Sequence, residues 1–196
     1  MERVLDKNSL DILFREARTY SRFLDKEVTN EQLQAMYELM KMGPTGANTC
    51  PARIIFLRST KAKERLKPAL APGNVDKTMK APVTAIVGGD LEFYEKLPLL
   101  FPHTDARSWF VGNDTLINRT AFQNSTLQGA YLIMAARAVG LDCGPMSGFD
   151  NEMVDREFFP DGKIKSNLLC NLGVGDPSSL HPRNPRLAFE EVCSII

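Results

Sequence analysis

A long, broadly apolar segment at residues 120–139 constrains the fold of this chain more than any other part of the sequence. Its apolar residues recur at helical spacing over a wide arc, and the segment ends before Gly140. The apolar positions are Phe122, Leu127, Ala130, Tyr131, Met134, Ala135, Ala138 and Val139. Since a surface helix has a narrower apolar stripe, we expect this helix to be central, either buried within one subunit or packed at a dimer interface.

Shorter helices and strands are interleaved along the rest of the chain without a regular βαβαβ series. Thr29 and Gln32 predict a capping box at the start of a helix that ends at Gly43. Other helices are expected at residues 9–17 with Ser9 as N-cap, at 60–70 with Thr60 as cap and from 151, and strands are expected at 54–57, 82–87 and 168–174. The remaining segments are a turn at 72–74, a glycine-rich connection at 140–150 and an irregular segment at 90–118 that leaves the core, called the excursion below. The pattern predicts a single α+β domain over residues 1–196.

Charge and cysteine content exclude several classes of protein. Lys+Arg and Asp+Glu both number 24, so no net field attracts nucleic acid or an anionic membrane. No apolar run reaches the roughly 18 residues of a spanning helix, and the N-terminus lacks the features of a signal peptide. Four scattered cysteines and two histidines form no metal-binding pattern. We therefore expect a cytoplasmic protein with no metal site and no nucleic-acid or membrane partner.

The common catalytic motifs are absent or incomplete. The sequence GVG at 173–175 follows a predicted strand but lacks the third glycine and the helix of a dinucleotide-binding fingerprint. The sequence GPMSG at 144–148 misses the spacing of a hydrolase nucleophile by one position, and no P-loop occurs. Cys50 and Cys143 lie in predicted loops, where an unreactive thiol is more common than a nucleophile.

Arginine pairs and two loops together favour a flat, anionic ligand. The arginines are Arg18 and Arg22 after the first predicted helix and Arg183 and Arg186 in the proline-rich tail. Either pair alone is typical of surface charge. Glycine in the loops at 43–51 and 143–150 lets backbone N–H groups approach a ligand closely, and guanidinium groups form charge-assisted hydrogen bonds with phosphate. Together these features suit a phosphorylated, planar cofactor.

Six segments carry a resemblance to a known family. They are RTYSRF at 18–23, PTGAN at 44–48, Asn74, AVGL at 138–141, PMSGFD at 145–150 and NPRL at 184–187. In their order and approximate spacing they resemble the FMN-dependent nitroreductase family over essentially the whole chain. The resemblance implies a nitroreductase-like fold, with a central, mainly antiparallel sheet surrounded by helices. It also implies an intertwined homodimer with FMN between the subunits.

The resemblance also assigns candidate cofactor residues. Those expected to hold the FMN phosphate are Arg18, Arg22 and Arg186, with Tyr20 standing where many relatives carry serine. Those expected to line the flavin are Thr45, Asn48 and Asn74, and the turn formed by Met146, Ser147 and Gly148 would present a backbone N–H to flavin N5. Cys50 replaces a common glutamine and Ser147 a common glutamate, so the substrate side of the site differs from many relatives.

Within the family, the sequence is most similar to malonic semialdehyde reductases of pyrimidine (uracil) degradation. The shared stretches lie at 39–56, 93–110, 140–150 and 165–169. The resemblance implies ping-pong chemistry, in which NADPH or NADH reduces FMN at N5 and the aldehyde then takes the hydride to give 3-hydroxypropionate. His103 is the candidate proton donor, and Arg107 or Arg53 the candidate anchor for the substrate carboxylate. The alternatives are a general NAD(P)H nitro- or quinone reductase and a flavin-binding protein without turnover.

Overall fold

One four-stranded sheet forms the centre of the molecule. The computed structural model describes residues 4–196. The strands are β1 (Ala52–Leu57), β2 (Val83–Asp90), β3 (Asp142–Met146) and β4 (Ile164–Gly173). Their order is β1-β2-β4-β3, every neighbouring pair is antiparallel, and the β2–β4 register shifts between Val87 and Gly88. The α+β class and the antiparallel sheet predicted from the sequence are confirmed.

Eight α-helices in the described residues surround the sheet. They are α1 (Lys7–Leu10), α2 (Asn30–Met40), α3 (Thr60–Leu66), α4 (Pro72–Lys80), α5 (Leu97–Leu100), α6 (Asp114–Ala138), α7 (Asn151–Phe158) and α8 (Phe189–Val192). Helix α1 continues as a wider π-helical turn through Asp11–Arg15. None of the helices within residues 4–196 combines the length and apolarity that crossing a membrane requires.

Each face of the sheet carries its own hydrophobic core because strand side chains alternate between the two faces. On one face Met36 of α2 and Leu132 of α6 pack against Val83 and its same-face neighbours. On the other face Leu66 of α3 and Val154 of α7 lie in one cluster with apolar residues of β2 and β4. The central position expected for the 120–139 helix is confirmed, since α6 contacts all four strands.

Helix boundaries follow local capping more closely than apolar spacing. The predicted capping box is present, with the Gln32 amide donating to Thr29 Oγ1 at 3.2 Å. The first helix was predicted to begin behind Ser9, which is wrong, because Asp6 caps it by accepting from the Ser9 amide at 2.7 Å. Ser59 rather than Thr60 likewise caps α3.

Three other predicted boundaries are wrong for identifiable reasons. The turn expected at 72–74 is the first turn of α4, where Pro72 suits a position that needs no N–H donor. Helix α6 begins at Asp114, because Asn113 Oδ1 accepts from the Leu116 amide at 3.0 Å. The connection predicted at 140–150 contains β3, whose Pro145 is tolerated because the strand lies at the sheet edge.

Candidate functional site

A cleft of about 520 Å³ lies where the N-terminal segment, the end of α6 and the C-terminal tail meet. Four arginines line it: Arg18, Arg137, Arg183 and Arg186. Two of these, Arg18 and Arg186, are phosphate ligands expected from the sequence, and the structure brings them together although 168 positions separate them (186 minus 18).

The guanidinium groups in this cleft bond to backbone carbonyls. Arg18 donates to the His181 carbonyl at 2.5 Å, and Arg137 donates to the Leu13 carbonyl at 2.9 Å. Arg183 donates to two carbonyls of the N-terminal segment, each at 2.8 Å. Within residues 4–196 none of the four arginines forms an ion pair with a carboxylate. The cleft therefore holds uncompensated positive charge, which suits a phosphate group.

The segment that carries Arg18 is fixed along β3. Thr19 forms a parallel bridge with Cys143, and the Tyr20 amide donates to the Cys143 carbonyl at 2.9 Å. The Tyr20 ring lies against Gly175, where an added Cβ would come within 2.5 Å of the ring. Burial, with a smaller contribution from Asp142, raises the pKa of Tyr20, so its phenol is protonated at neutral pH.

Arg22 lies outside the lining of the cleft. It is exposed, and its carbonyl accepts from the Asp176 amide at 3.1 Å. Hydrogen bonds from Ser178 lower the pKa of Asp176, and Arg22 adds a smaller attraction. Arg22 thus follows the lining residue Ser21 but is not itself part of the lining, and its role as a phosphate ligand stays a prediction.

Two of the predicted flavin-lining residues belong to a loop with an unusual backbone. Thr45 Oγ1 accepts from the Cys50 amide at 3.2 Å, and Asn48 Nδ2 donates to the Leu100 carbonyl at 2.8 Å. Ala47, Asn48 and Cys50 have φ of 48°, 52° and 42°, in the left-handed region. The Asn48 bond places this loop beside the 90–118 excursion.

Asn74, the third of the predicted flavin-lining residues, holds the turn that follows β3. Asn74 Nδ2 donates to the Gly148 carbonyl at 2.7 Å, and a Cβ at position 148 would lie 2.7 Å from that nitrogen. A larger residue at position 148 would therefore displace the Asn74 amide from this bond. Met146 is buried, its sulfur accepting from Thr78 Oγ1 at 3.6 Å, whereas Ser147 is exposed. The Gly148 N–H has no acceptor among residues 4–196.

The candidate substrate residues lie in and beside the excursion. Arg107 donates to both carboxylate oxygens of Glu95 at 2.8 Å, and this pairing lowers the pKa of Glu95. Arg53 forms an ion pair with Asp90. His103 is exposed, with its ring 5.9 Å from that of Phe101. The roles of His103 and Arg107 stay predictions, and both arginines already have carboxylate partners.

Sequence reasoning missed three residues of this region. Arg137 lines the cleft from α6, Asn124 accepts from the Gly46 amide in the 45–51 loop, and Gln128 accepts from the amide of Ala52, the first residue of β1 directly after that loop. All three are polar positions in the central helix predicted at 120–139, a signal that Gln123, Ser125 and Thr126 share, so the sequence alone does not single them out. Within residues 4–196 no three His, Cys, Asp or Glu side chains come together to hold a metal ion.

The sequence profile of the nitroreductase family matches residues 14–176 of this chain. The chain belongs to the nitroreductase family. A relative from Polynucleobacter asymbioticus, provisionally named an NADH dehydrogenase/NAD(P)H nitroreductase, is 59% identical over 196 residues, which cover 100% of both chains.

Solved structures show the same fold. A provisionally named nitroreductase from Bacillus subtilis has a TM-score of 0.85 at 22% identity, covering 97% of this chain and 100% of its own. Another from Exiguobacterium sibiricum, solved in complex with FMN, has a TM-score of 0.85 at 18% identity, covering 98% of each chain. The nitroreductase-like fold predicted from the sequence is confirmed.

Proposed function

We propose that this nitroreductase-family chain is an FMN-dependent NAD(P)H oxidoreductase. The observation that carries the proposal is the cleft with four arginines that no carboxylate neutralises within residues 4–196. Arg18 and Arg186 would hold the FMN phosphate together with Arg137 and Arg183. Arg22, outside the lining, would act on the phosphate only through its longer-range positive charge.

Strand β3 links the two ends of the proposed cofactor site. Its first residues lie beside the segment of Arg18, through the bridge between Thr19 and Cys143. Its last residue precedes the turn at Ser147 and Gly148. Five strand residues at roughly 3.3 Å each place this turn about 16 Å from the start of β3. A phosphate at the first end would meet the guanidinium groups that lack a carboxylate partner, and a flavin ring at the second end would meet the free Gly148 N–H.

Bound FMN would supply the hydride transfer, and the residues of this chain would orient it. The Gly148 N–H would donate to the ring, Asn74 would hold the Gly148 carbonyl, and Thr45 and Asn48 would line the ring from the neighbouring loop. The FMN named in the Exiguobacterium sibiricum structure and the NAD(P)H named in the Polynucleobacter asymbioticus relative support this assignment. We include a homodimer in the proposal, with the site between the two copies.

As the substrate we propose malonic semialdehyde, with its carboxylate held by a cation and its carbonyl oxygen protonated by His103. Support comes from the 93–110 stretch, which the Asn48 bond to the Leu100 carbonyl places beside the flavin-lining loop. Glu95 occupies two of the five N–H donors of Arg107 and neutralises its charge, so Arg107 would hold a substrate carboxylate most strongly after releasing Glu95.

Steady-state kinetics with malonic semialdehyde and with propanal tests the substrate. A cationic anchor predicts that propanal, which lacks the carboxylate, loses about ten- to a hundredfold in kcat/KM. Arg107→Ala should abolish this preference if Arg107 is the anchor. Arg65→Ala is the matched control, because Arg65 forms a similarly exposed ion pair with Glu157 away from the excursion.

The second candidate function is a general nitro- or quinone reductase. The ion pairs Arg107–Glu95 and Arg53–Asp90 favour it, because they leave both candidate anchors already neutralised. Equal turnover of the two aldehydes, with faster turnover of a nitroaromatic, would select this function. An FMN-loaded protein that neither NADH nor NADPH bleaches would instead indicate flavin binding without turnover.

A further inference from the structure

Two amide side chains on α6 hold the backbone at both ends of the flavin-lining loop. The Gly46 amide donates to Asn124 Oδ1 at 2.7 Å, and the Ala52 amide donates to Gln128 Oε1 at 2.8 Å. Both side chains are buried, with 7% and 5% of their residue surface exposed. Because positions four apart lie on one face of a helix, a single face of α6 supplies both acceptors.

The orientation of Asn124 is fixed from its other end. Its Nδ2 donates to the Thr120 carbonyl at 2.9 Å, one turn earlier in α6. The oxygen therefore faces the loop, since the amide nitrogen is already engaged within the helix. A side chain held at both ends can fix its partner more tightly than a freely rotating one.

The loop between these two anchors needs external support. Three of its residues, Ala47, Asn48 and Cys50, have positive φ although none is glycine. Such residues cost about 1–3 kcal/mol each and persist only where the surroundings hold them. Thr45 supports the loop from inside by accepting from the Cys50 amide, but that bond joins two loop residues and ties neither to the rest of the protein.

We propose that Asn124 and Gln128 are positioning residues that clamp the 45–51 loop in the conformation that presents Thr45 and Asn48 to the cofactor. They act through the Gly46 and Ala52 amides. The inference rests on the proposed function for the identity of the cofactor, although the clamp itself is a property of this chain. Losing either acceptor leaves a backbone donor unsatisfied and lets the strained residues relax.

The test compares side chains of similar size with and without the acceptor oxygen. Asn124→Leu and Gln128→Met remove it, whereas Gln128→Glu keeps an oxygen for the Ala52 amide. Ser125→Ala is the matched control, because Ser125 is equally buried on α6 but its oxygen contacts Asn167 of β4. The dissociation constant for FMN is measured by flavin fluorescence, and amide hydrogen exchange of residues 44–52 is measured on the protein without FMN.

We expect the two acceptor-removing variants to raise the FMN dissociation constant about tenfold, in line with the loss of one buried hydrogen bond. Amide exchange of the loop should accelerate in the same variants. Gln128→Glu should restore both values toward wild type, and Ser125→Ala should change neither. The circular dichroism spectrum should stay native in all four.

Folded Asn124→Leu and Gln128→Met proteins with wild-type exchange would overturn the clamp, as would a Gln128→Glu variant no better than Gln128→Met. Should Asn124→Leu not fold, Gln128→Met and Gln128→Glu decide in the same way. A wild-type protein that does not bind FMN would contradict the proposed function. Hydrogen exchange would then still decide the clamp, because that measurement needs no cofactor.

Discussion

Individual arginine side chains set the electrostatics of the proposed cofactor site. In the cleft Arg18, Arg137 and Arg183 bond to carbonyl oxygens, which orient a guanidinium group without neutralising it. Arg107 in the excursion is different, because Glu95 accepts both of its hydrogen bonds. Charge in the cleft is thus available to an anionic ligand, whereas charge in the excursion is committed within the protein.

Removing one cleft arginine should weaken FMN binding without unfolding the protein. Each charge-assisted hydrogen bond to phosphate contributes about 1.5–3 kcal/mol, so Arg137→Ala and Arg186→Ala should each raise the FMN dissociation constant about ten- to a hundredfold. Fluorescence titration measures the change, and Arg65→Ala serves as the control for loss of a surface arginine. Affinity unchanged in Arg137→Ala would remove that residue from the site.

For individual residues, the sequence predicted chemical roles better than it predicted which residues contact one another. The family resemblance implied Arg18 and Arg186 as phosphate ligands, and the fold brings them into one cleft. It could not indicate Arg137, because helical periodicity shows which face a residue occupies but not which distant segment packs there. It also could not show that Arg107 pairs with Glu95, since both belong to a stretch without regular periodicity.

Among the secondary-structure elements, those with strong periodicity or capping signals were predicted best. The capping box of Thr29 is present, and strands β1, β2 and β4 overlap the predicted apolar runs. Strand β3 and helix α4 were missed because proline and glycine lower the local propensity in both. Tertiary pairing with β4 stabilises β3 as an edge strand, and the sequence of β3 alone carries no sign of that partner.

The packing of α3 against α4 buries a lysine and makes stability depend on pH. Lys63 is 3% exposed and donates to the carbonyl of Ala81, the residue that ends α4. Burial lowers the pKa of Lys63 from 10.5. Between that lowered pKa and 10.5 the unfolded chain binds more protons than the folded one, so the lysine makes stability rise with pH.

Lys63→Met should therefore flatten the pH dependence of unfolding. Urea unfolding between neutral pH and pH 10 should show wild type gaining stability relative to the variant as pH rises toward 10.5, because the lowered pKa of Lys63 lets the folded protein release this proton before the unfolded chain does. Lys61→Met, on the exposed side of α3, controls for loss of a lysine. Parallel profiles for wild type and Lys63→Met would contradict the role of burial.

For the molecule as a whole, α6 is only partly covered by its own chain. One side of the helix packs on the sheet, whereas apolar residues on other parts of its surface face solvent: Phe122, Leu127 and Tyr131. Helix α2, which packs against α6, also exposes Tyr37 and Leu39, and Met42 is exposed just beyond its end. Exposed apolar side chains on two helices that pack together are candidates for an interface, and a stable dimer buries about 1,200–2,000 Å² in total.

If this surface joins two copies of the chain, a charge placed on it should separate them. Light scattering should give the mass of a dimer for the wild type, and Phe122→Glu should shift it to that of a monomer, because Phe122 is 62% exposed on α6 and would meet its partner there. Leu24→Glu is the control, since Leu24 is an exposed apolar residue that bonds to Val174 beyond the end of β4. Because the proposed site lies between the two copies, Phe122→Glu should lose FMN affinity together with the dimer, whereas Leu24→Glu should keep both. A monomeric wild type that binds FMN tightly would contradict both the dimer and the shared site.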